Sequence, residues 1–207
     1  MTGTPHCADR APPRRLAPGF TLVEALVAIS LAVLAGSAIL LSTTSSVQNC
    51  DDATKRMIAL GLAEQLMDEI LGQRYCAVGA DGRQVGLGPS SWEAQGQCRE
   101  RYNDIDDYHG VARQPPADAW GVALGKDDGM GGTRNAAFQA TTTLLTKWRQ
   151  EVSVYYVDAS NPSLKLTGSQ TSDYRMIEVR ITEQTQSGAY REWVKLRRVV
   201  CYVPELP

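Results

Sequence analysis

Apolar positions fall into three textures along the chain. From Phe20 to Leu41 they are nearly continuous, and Glu24 is the one charge in that stretch. About 20 apolar residues in a helix span the roughly 30 Å hydrocarbon core of a bilayer. From Asp51 the texture becomes amphipathic. Ile58, Leu62, Leu66 and Ile70 recur every four residues, and Leu60, Met67 and Leu71 flank them. That spacing puts one apolar stripe on a helix. Ser42 to Gln48 between the two lacks Pro and Gly, and Gly72 is a plausible stop. The pattern predicts a single helix from about residue 21 to residue 71, roughly 75 Å long at 1.5 Å rise per residue.

The third texture is alternation. Residues 150–158 are rich in β-branched and aromatic types. Residues 174–183 place Ile177, Val179 and Ile181 on one face, and Glu178, Arg180 and Thr182 on the other. Gln186-Ser187-Gly188-Ala189 turns the chain into a return strand over 190–203. Sequential strands with short turns predict an antiparallel meander with the helix on its apolar face. The expected fold class is therefore α+β, a long N-terminal helix packed on a small antiparallel sheet. Residues 75–97, Gln114-Pro115-Pro116 and residues 126–132 read as loops.

Charge sets an expected orientation. Arg10, Arg14 and Arg15 precede the apolar run against Asp9 alone, and Asp51 and Asp52 follow it. The positive-inside rule keeps the basic N-terminus cytoplasmic and exports the remainder. The apolar core exceeds the 7–15 residues of an ordinary cleavable signal, and hydrophobicity resumes after Ala38. A formal net charge of -2 gives no basic footprint for nucleic acid.

An exported domain makes the cysteines candidates for disulfides. Beyond Cys7 lie Cys50, Cys76, Cys98 and Cys201, which allow three connectivities. Cys76 and Cys98 bracket a Gly-rich polar loop. A bridge there would close about 20 residues and contribute roughly 3 kcal/mol in the chain-entropy model. It would leave Cys50 with Cys201. Zinc is disfavoured, since there is no paired-cysteine spacing and His109 is the one exported histidine.

The junction Arg14-Arg15-Leu16-Ala17-Pro18-Gly19-Phe20-Thr21-Leu22-Val23-Glu24 is the most specific motif. A basic leader ends in Gly, Phe comes next, and a Glu stands inside the apolar helix. It resembles the class III signal of type IV prepilins and secretion pseudopilins. The resemblance implies cleavage between Gly19 and Phe20 by a prepilin peptidase, and N-methylation of Phe20. It divides the chain into a leader 1–19, a transmembrane and filament-core helix 20–41, an amphipathic continuation 42–72, and an exported domain 73–207. A carboxylate at membrane depth is costly and marks a functional candidate. By the resemblance, Glu24 pairs with the Phe20 amine of a neighbouring subunit during assembly. The partners implied are other pilins or pseudopilins, the peptidase, the inner-membrane assembly platform and membrane lipid. The place implied is the bacterial inner membrane, then a periplasmic or surface filament.

Glu64 to Ile70, Arg101 to Gly110 and Asp173 to Arg180 together resemble minor pilins of the mannose-sensitive haemagglutinin type, particularly the D-type. A type II secretion minor pseudopilin and a filament-tip adhesin remain the alternatives. Asp104, Asp106 and Asp107 offer oxygen ligands for calcium, but Tyr108 and His109 break the EF-hand spacing. The competing reading is a turn in which these carboxylates cap backbone amides. No nucleotide-binding, metalloprotease or nucleophile-elbow motif occurs, so an enzyme and a cofactor are not expected. Trp92, Trp120, Tyr102 and Tyr108 are candidate binding anchors or core residues.

Overall fold

The computed structural model describes residue 19, residues 21–141 and residues 143–204. The described chain is α+β. It opens with α1 (Leu22–Leu71) and continues through loops and a four-stranded antiparallel sheet. The strands are β1 (Ala112–Arg113), β2 (Trp148–Tyr156), β3 (Tyr174–Gln184) and β4 (Tyr190–Cys201), in that spatial order. The chain divides into two units, residues 1–50 and residues 51–207.

In the first unit, the described residues are helix from Leu22 onward. Its large apolar side chains are exposed, among them Leu26, Val27, Ile29, Leu34 and Ile39. One helix near the N-terminus is thus long and apolar enough to cross a membrane. Four of its hydroxyls are satisfied within the helix. Ser30 donates to the Leu26 carbonyl at 2.8 Å, Ser37 to Val33 at 2.7 Å, and Thr43 and Thr44 to Leu40 at 2.9 Å each. Such back-bonding would serve these hydroxyls wherever water is absent.

In the second unit, the C-terminal turns of α1 cover the sheet. Ala59, Leu62, Ala63, Leu66, Met67 and Ile70 are buried against Val152, Val154, Ile177, Val179 and Ile181. Ala59 and Ala63, one turn apart, let the helix approach the strands closely. Leu60 and Leu71, anticipated in the stripe, are about 40% exposed and face outward. They lie beside the four-residue row, on the shoulder that the sheet does not reach.

β2 alternates buried and half-buried positions along its whole length. It runs antiparallel to β3, with Val152 opposite Val179 and Val154 opposite Ile177. The expected apolar face of β3 is correct, since Ile177, Val179 and Ile181 are fully buried. A register shift at Ile181/Thr182 then offsets the β3–β4 ladder, so Val194 faces Ile181 and Glu192 faces Thr182. Trp193 sits at that bulge and stacks on Trp148, with ring centroids 6.2 Å apart.

Candidate functional site

Around the processing motif, Gly19 is exposed, and a Cβ added there would meet nothing within 4 Å. Residues 1–18, with Cys7, and Phe20 lie outside the described residues, so neither the expected scissile bond nor the expected methylation site is placed. Thr21 precedes the first helical residue, and Glu24 is the third residue of the helix. The Thr21 backbone N–H and hydroxyl both donate to Glu24 Oε2 at 3.5 Å. The Glu24 N–H donates to Thr21 Oγ1 at 3.3 Å. This is a capping box, in which two side chains serve each other's backbone donors at a helix start. Its sequence signature, Thr-x-x-Glu before an apolar run, was legible at residues 21–24. An acidic group there also meets the positive end of the helix dipole.

The acidic segment is densely bonded within the second unit. It is carried past the end of α1, where the Ile105 N–H donates to the Arg74 carbonyl at 2.9 Å. A short 3-10 turn, Asp106–Tyr108, comes next. Asp104 Oδ1 accepts from the N–H groups of Asp106 (3.0 Å) and Asp107 (3.2 Å). Asp107 Oδ2 accepts from those of Asn103 (2.9 Å) and Asp104 (3.3 Å). Asp106 Oδ1 accepts from Arg175 Nη1 at 2.9 Å, and its other oxygen accepts from the Gln84 amide. Each of the three carboxylates thus commits at least one oxygen to a backbone amide, a side-chain amide or a guanidinium. This is the capping alternative to calcium. Among the described residues, no group of three or more His, Cys, Asp or Glu is arranged to hold a metal ion.

Burial leaves its mark on these acids. Asp104 is pushed up to about 7, first by burial and then by the neighbouring Asp106 carboxyl. Asp107 is pushed up to about 6 by burial, with Asp104 and Glu93 adding like charge. Arg175, opposite them, is wholly buried. It donates to the Tyr75 carbonyl (2.6 Å), the Gly82 carbonyl (3.2 Å) and the Tyr156 hydroxyl (3.0 Å). The rings of Tyr75 and Tyr156 lie 4.2 and 5.1 Å from it. Arg175 lies in an alternating strand, and no local spacing in the sequence marks its partner.

A second buried ion pair ties the loops to α1. Arg99 makes a bidentate pair with Glu69, both contacts at 2.8 Å, and donates to the Ala117 carbonyl at 3.1 Å. Glu69 Oε1 also accepts from the Tyr108 hydroxyl at 3.1 Å. Tyr108 is therefore core, with Tyr102 edge-on at 5.2 Å. Trp92 and Trp120 are exposed, and Arg101 lies 5.0 Å from the Trp92 ring. His109 Nδ1 accepts from the Val154 N–H at 3.1 Å, which fixes the segment to β2.

The cysteines depart from expectation. Cys76, Cys98 and Cys201 are free thiols, so the anticipated Cys76–Cys98 bridge is not formed and Cys201 has no disulfide. Cys98 is buried, its Sγ donates to the Asp118 carbonyl at 3.6 Å, and its Cβ faces Gly121. Cys76 turns instead to the Ala80 carbonyl at 3.9 Å. Burial pushes its thiol above the ordinary value, against the opposing pull of Arg175. Cys50 is exposed on α1. Loop length alone suggested the bridge, and it carries no information on which way each sulfur points.

No family model, curated protein or solved structure matches the chain significantly.

Proposed function

We propose that the chain is a prepilin-like subunit, held in a membrane by its N-terminal helix and then packed by that helix into a type IV pilus or related pseudopilus. The observation that carries this reading is the helix that opens just past Gly19. Its first half is apolar and exposed, with Glu24 as its lone charge, and its last turns carry a folded domain. An exposed apolar helix needs lipid or other helices around it, and a filament core supplies the second once the first is left behind. Cleavage after Gly19 would release a Phe20 amine one helical turn from the Glu24 carboxylate. That pairing across subunits would neutralise both charges in an apolar surrounding.

The finer reading is a minor pilin of the mannose-sensitive haemagglutinin type that primes, modifies or caps the filament. It is supported by the resemblance over Glu64–Ile70, Arg101–Gly110 and Asp173–Arg180. Exposed Trp92 and Trp120 favour a second role as a filament-tip binding subunit. Deleting the gene separates the two, since lost filaments mark a structural subunit, and intact but non-adherent filaments mark a tip module.

Mass spectrometry of the protein from its host tests the processing. The expected mature N-terminus is methylated Phe20, and a chain beginning at Met1 or beyond Ala38 would sink the proposal. Glu24 is tested by two substitutions. Glu24→Gln keeps an acceptor for the Thr21 N–H and loses the charge, whereas Glu24→Ala loses both. Intersubunit charge pairing predicts that both variants stay out of filaments, while capping alone predicts that Gln assembles normally.

A further inference from the structure

The outward face of the sheet carries a groove of about 500 Å³. β2 contributes Ser153 and Tyr155, β3 contributes Met176, Glu178 and Arg180, and β4 contributes Arg197. Pro162, Ser163 and Lys165 of the loop after β2 complete it. Ligand sites commonly occupy about 300–1,000 Å³, so the space suits one or two small rings.

The lining is cationic, with Lys165, Arg180 and Arg197 set against Glu178. Glu178 is held firmly. It accepts from Arg197 Nε at 2.7 Å and from the Tyr155 hydroxyl at 3.3 Å. Burial raises its pKa, but Arg197, Lys195 and Arg180 outweigh burial and keep it below its ordinary value. Much donor capacity remains. Arg180 approaches Glu151 and Glu178 only at 3.7 Å, beyond hydrogen-bond distance. Lys165 has no carboxylate partner among the described residues, and its Nζ lies 4.5 Å from the Tyr155 ring centroid.

The groove floor also limits what kind of anion fits. Ser153, Tyr155, Met176 and Glu178 lie in strands that pair along their whole length, from Trp148↔Glu183 to Tyr156↔Arg175. β3, at the centre of the floor, is paired with β2 on one side and β4 on the other, so it offers no main-chain donor or acceptor to an extended peptide laid over it. Hydroxyls, guanidinium groups and a carboxylate are what the floor offers. A ligand that brings its own hydroxyls and carboxylate charge matches them. We infer that this groove binds a carboxylate-bearing saccharide of one or two rings. Lys165 and Arg180 take the carboxylate, Ser153, Ser163 and Glu178 serve the ring hydroxyls, and Met176 and Pro162 meet an apolar ring face. The inference stands apart from the filament reading and fails or survives without it.

The test is calorimetric titration of the full chain in detergent with digalacturonate. Lactose, inorganic sulfate and a short polyglutamate peptide serve as comparison ligands. Digalacturonate is expected to bind at least about tenfold more tightly than any of the three. Its affinity falls as sodium chloride is raised, because exposed charges are screened. The double variant Lys165→Gln/Arg180→Gln loses about tenfold in affinity with an unchanged melting temperature. Lys165→Glu, at an exposed position, provides a second variant with the same expected loss. Four results would each overturn the inference: no binding, lactose or sulfate equal to digalacturonate, preference for the peptide, or variants that bind as the parent does.

Discussion

Arg175→Met is the sharpest test of what holds the second unit together. Methionine fills much of the same volume but donates nothing. The substitution strips Asp106, the Tyr75 and Gly82 carbonyls and the Tyr156 hydroxyl of a common partner at a wholly buried site. Removing one member of a buried ion pair costs about 3–5 kcal/mol, because the remaining charge has no compensation. Each orphaned buried acceptor alone is worth about 1–3 kcal/mol, so the loss of two of them brackets the same figure. For a domain of this size, each kcal/mol lowers the melting temperature by about 2–4 °C, so the expected drop is roughly 6–20 °C. Thermal unfolding of the full chain in detergent, followed by near-ultraviolet circular dichroism, reads it directly. Adding Asp106→Asn to Arg175→Met removes the uncompensated charge and should recover part of the loss. A single variant that melts within about 2 °C of the parent would refute the reasoning. So would a double variant whose losses simply add, since contacting residues are expected to couple.

The same interior supports other expectations. Asp104 and Asp107 have folded pKa values of about 7 and 6, above the ordinary 3.8. Between those limits the folded chain holds protons that the unfolded chain releases. Their contribution to stability is therefore full below about pH 4 and is lost as pH rises through 6 to 7. The melting temperature should fall from pH 5 to pH 8 at constant ionic strength, and Asp104→Asn should flatten the fall; a rise over that range would contradict it. Glu69→Ala leaves Arg99 buried without its carboxylate and should cost about 3–5 kcal/mol in a urea titration. A midpoint indistinguishable from the parent's would disprove that role. Gly131 has φ +85°, and a Cβ there would come within 2.9 Å of the Trp120 ring. Gly131→Ala should cost about 1–3 kcal/mol and shift tryptophan emission, and unchanged emission would count against the contact. Under native conditions a maleimide should label exposed Cys201 well before buried Cys98, and protection of both against labelling would contradict free thiols.

The parts legible in the sequence were those fixed by local periodicity. The four-residue row of Leu62, Leu66 and Ile70 marked the buried face of α1, and the alternation of Ile177, Val179 and Ile181 marked that of β3. Gly72 marked the helix end, where its N–H closes onto the Asp68 carbonyl at 3.0 Å. β1 was not legible, because two residues have no period. Its identity comes from pairing Ala112 with Glu151 and Arg113 with Gln150. The bulge that swings Trp193 onto Trp148 likewise depends on the register between strands rather than on either strand alone.

The candidate site divides along the same line. Thr21 and Glu24 are three residues apart, so their reciprocal bonds could be read from spacing. Arg175 and Asp106 are 69 residues apart, and Arg99 and Glu69 are 30 apart. Nothing local marks an arginine in an alternating strand as fully buried, and exposure would be the ordinary assumption. The acidic segment offered oxygen ligands with no cation nearby in sequence, because its partner Arg175 lies far along the chain. Once Arg175 is in place, the charge that calcium would have supplied there comes from a guanidinium. The capping box changes the reading of Glu24 in a similar way. A carboxylate at the first turn of an apolar helix has a local reason to exist, so its presence alone does not argue for a neighbour's amine. The weight of the assembly reading falls instead on whether its charge is needed once its acceptor is kept.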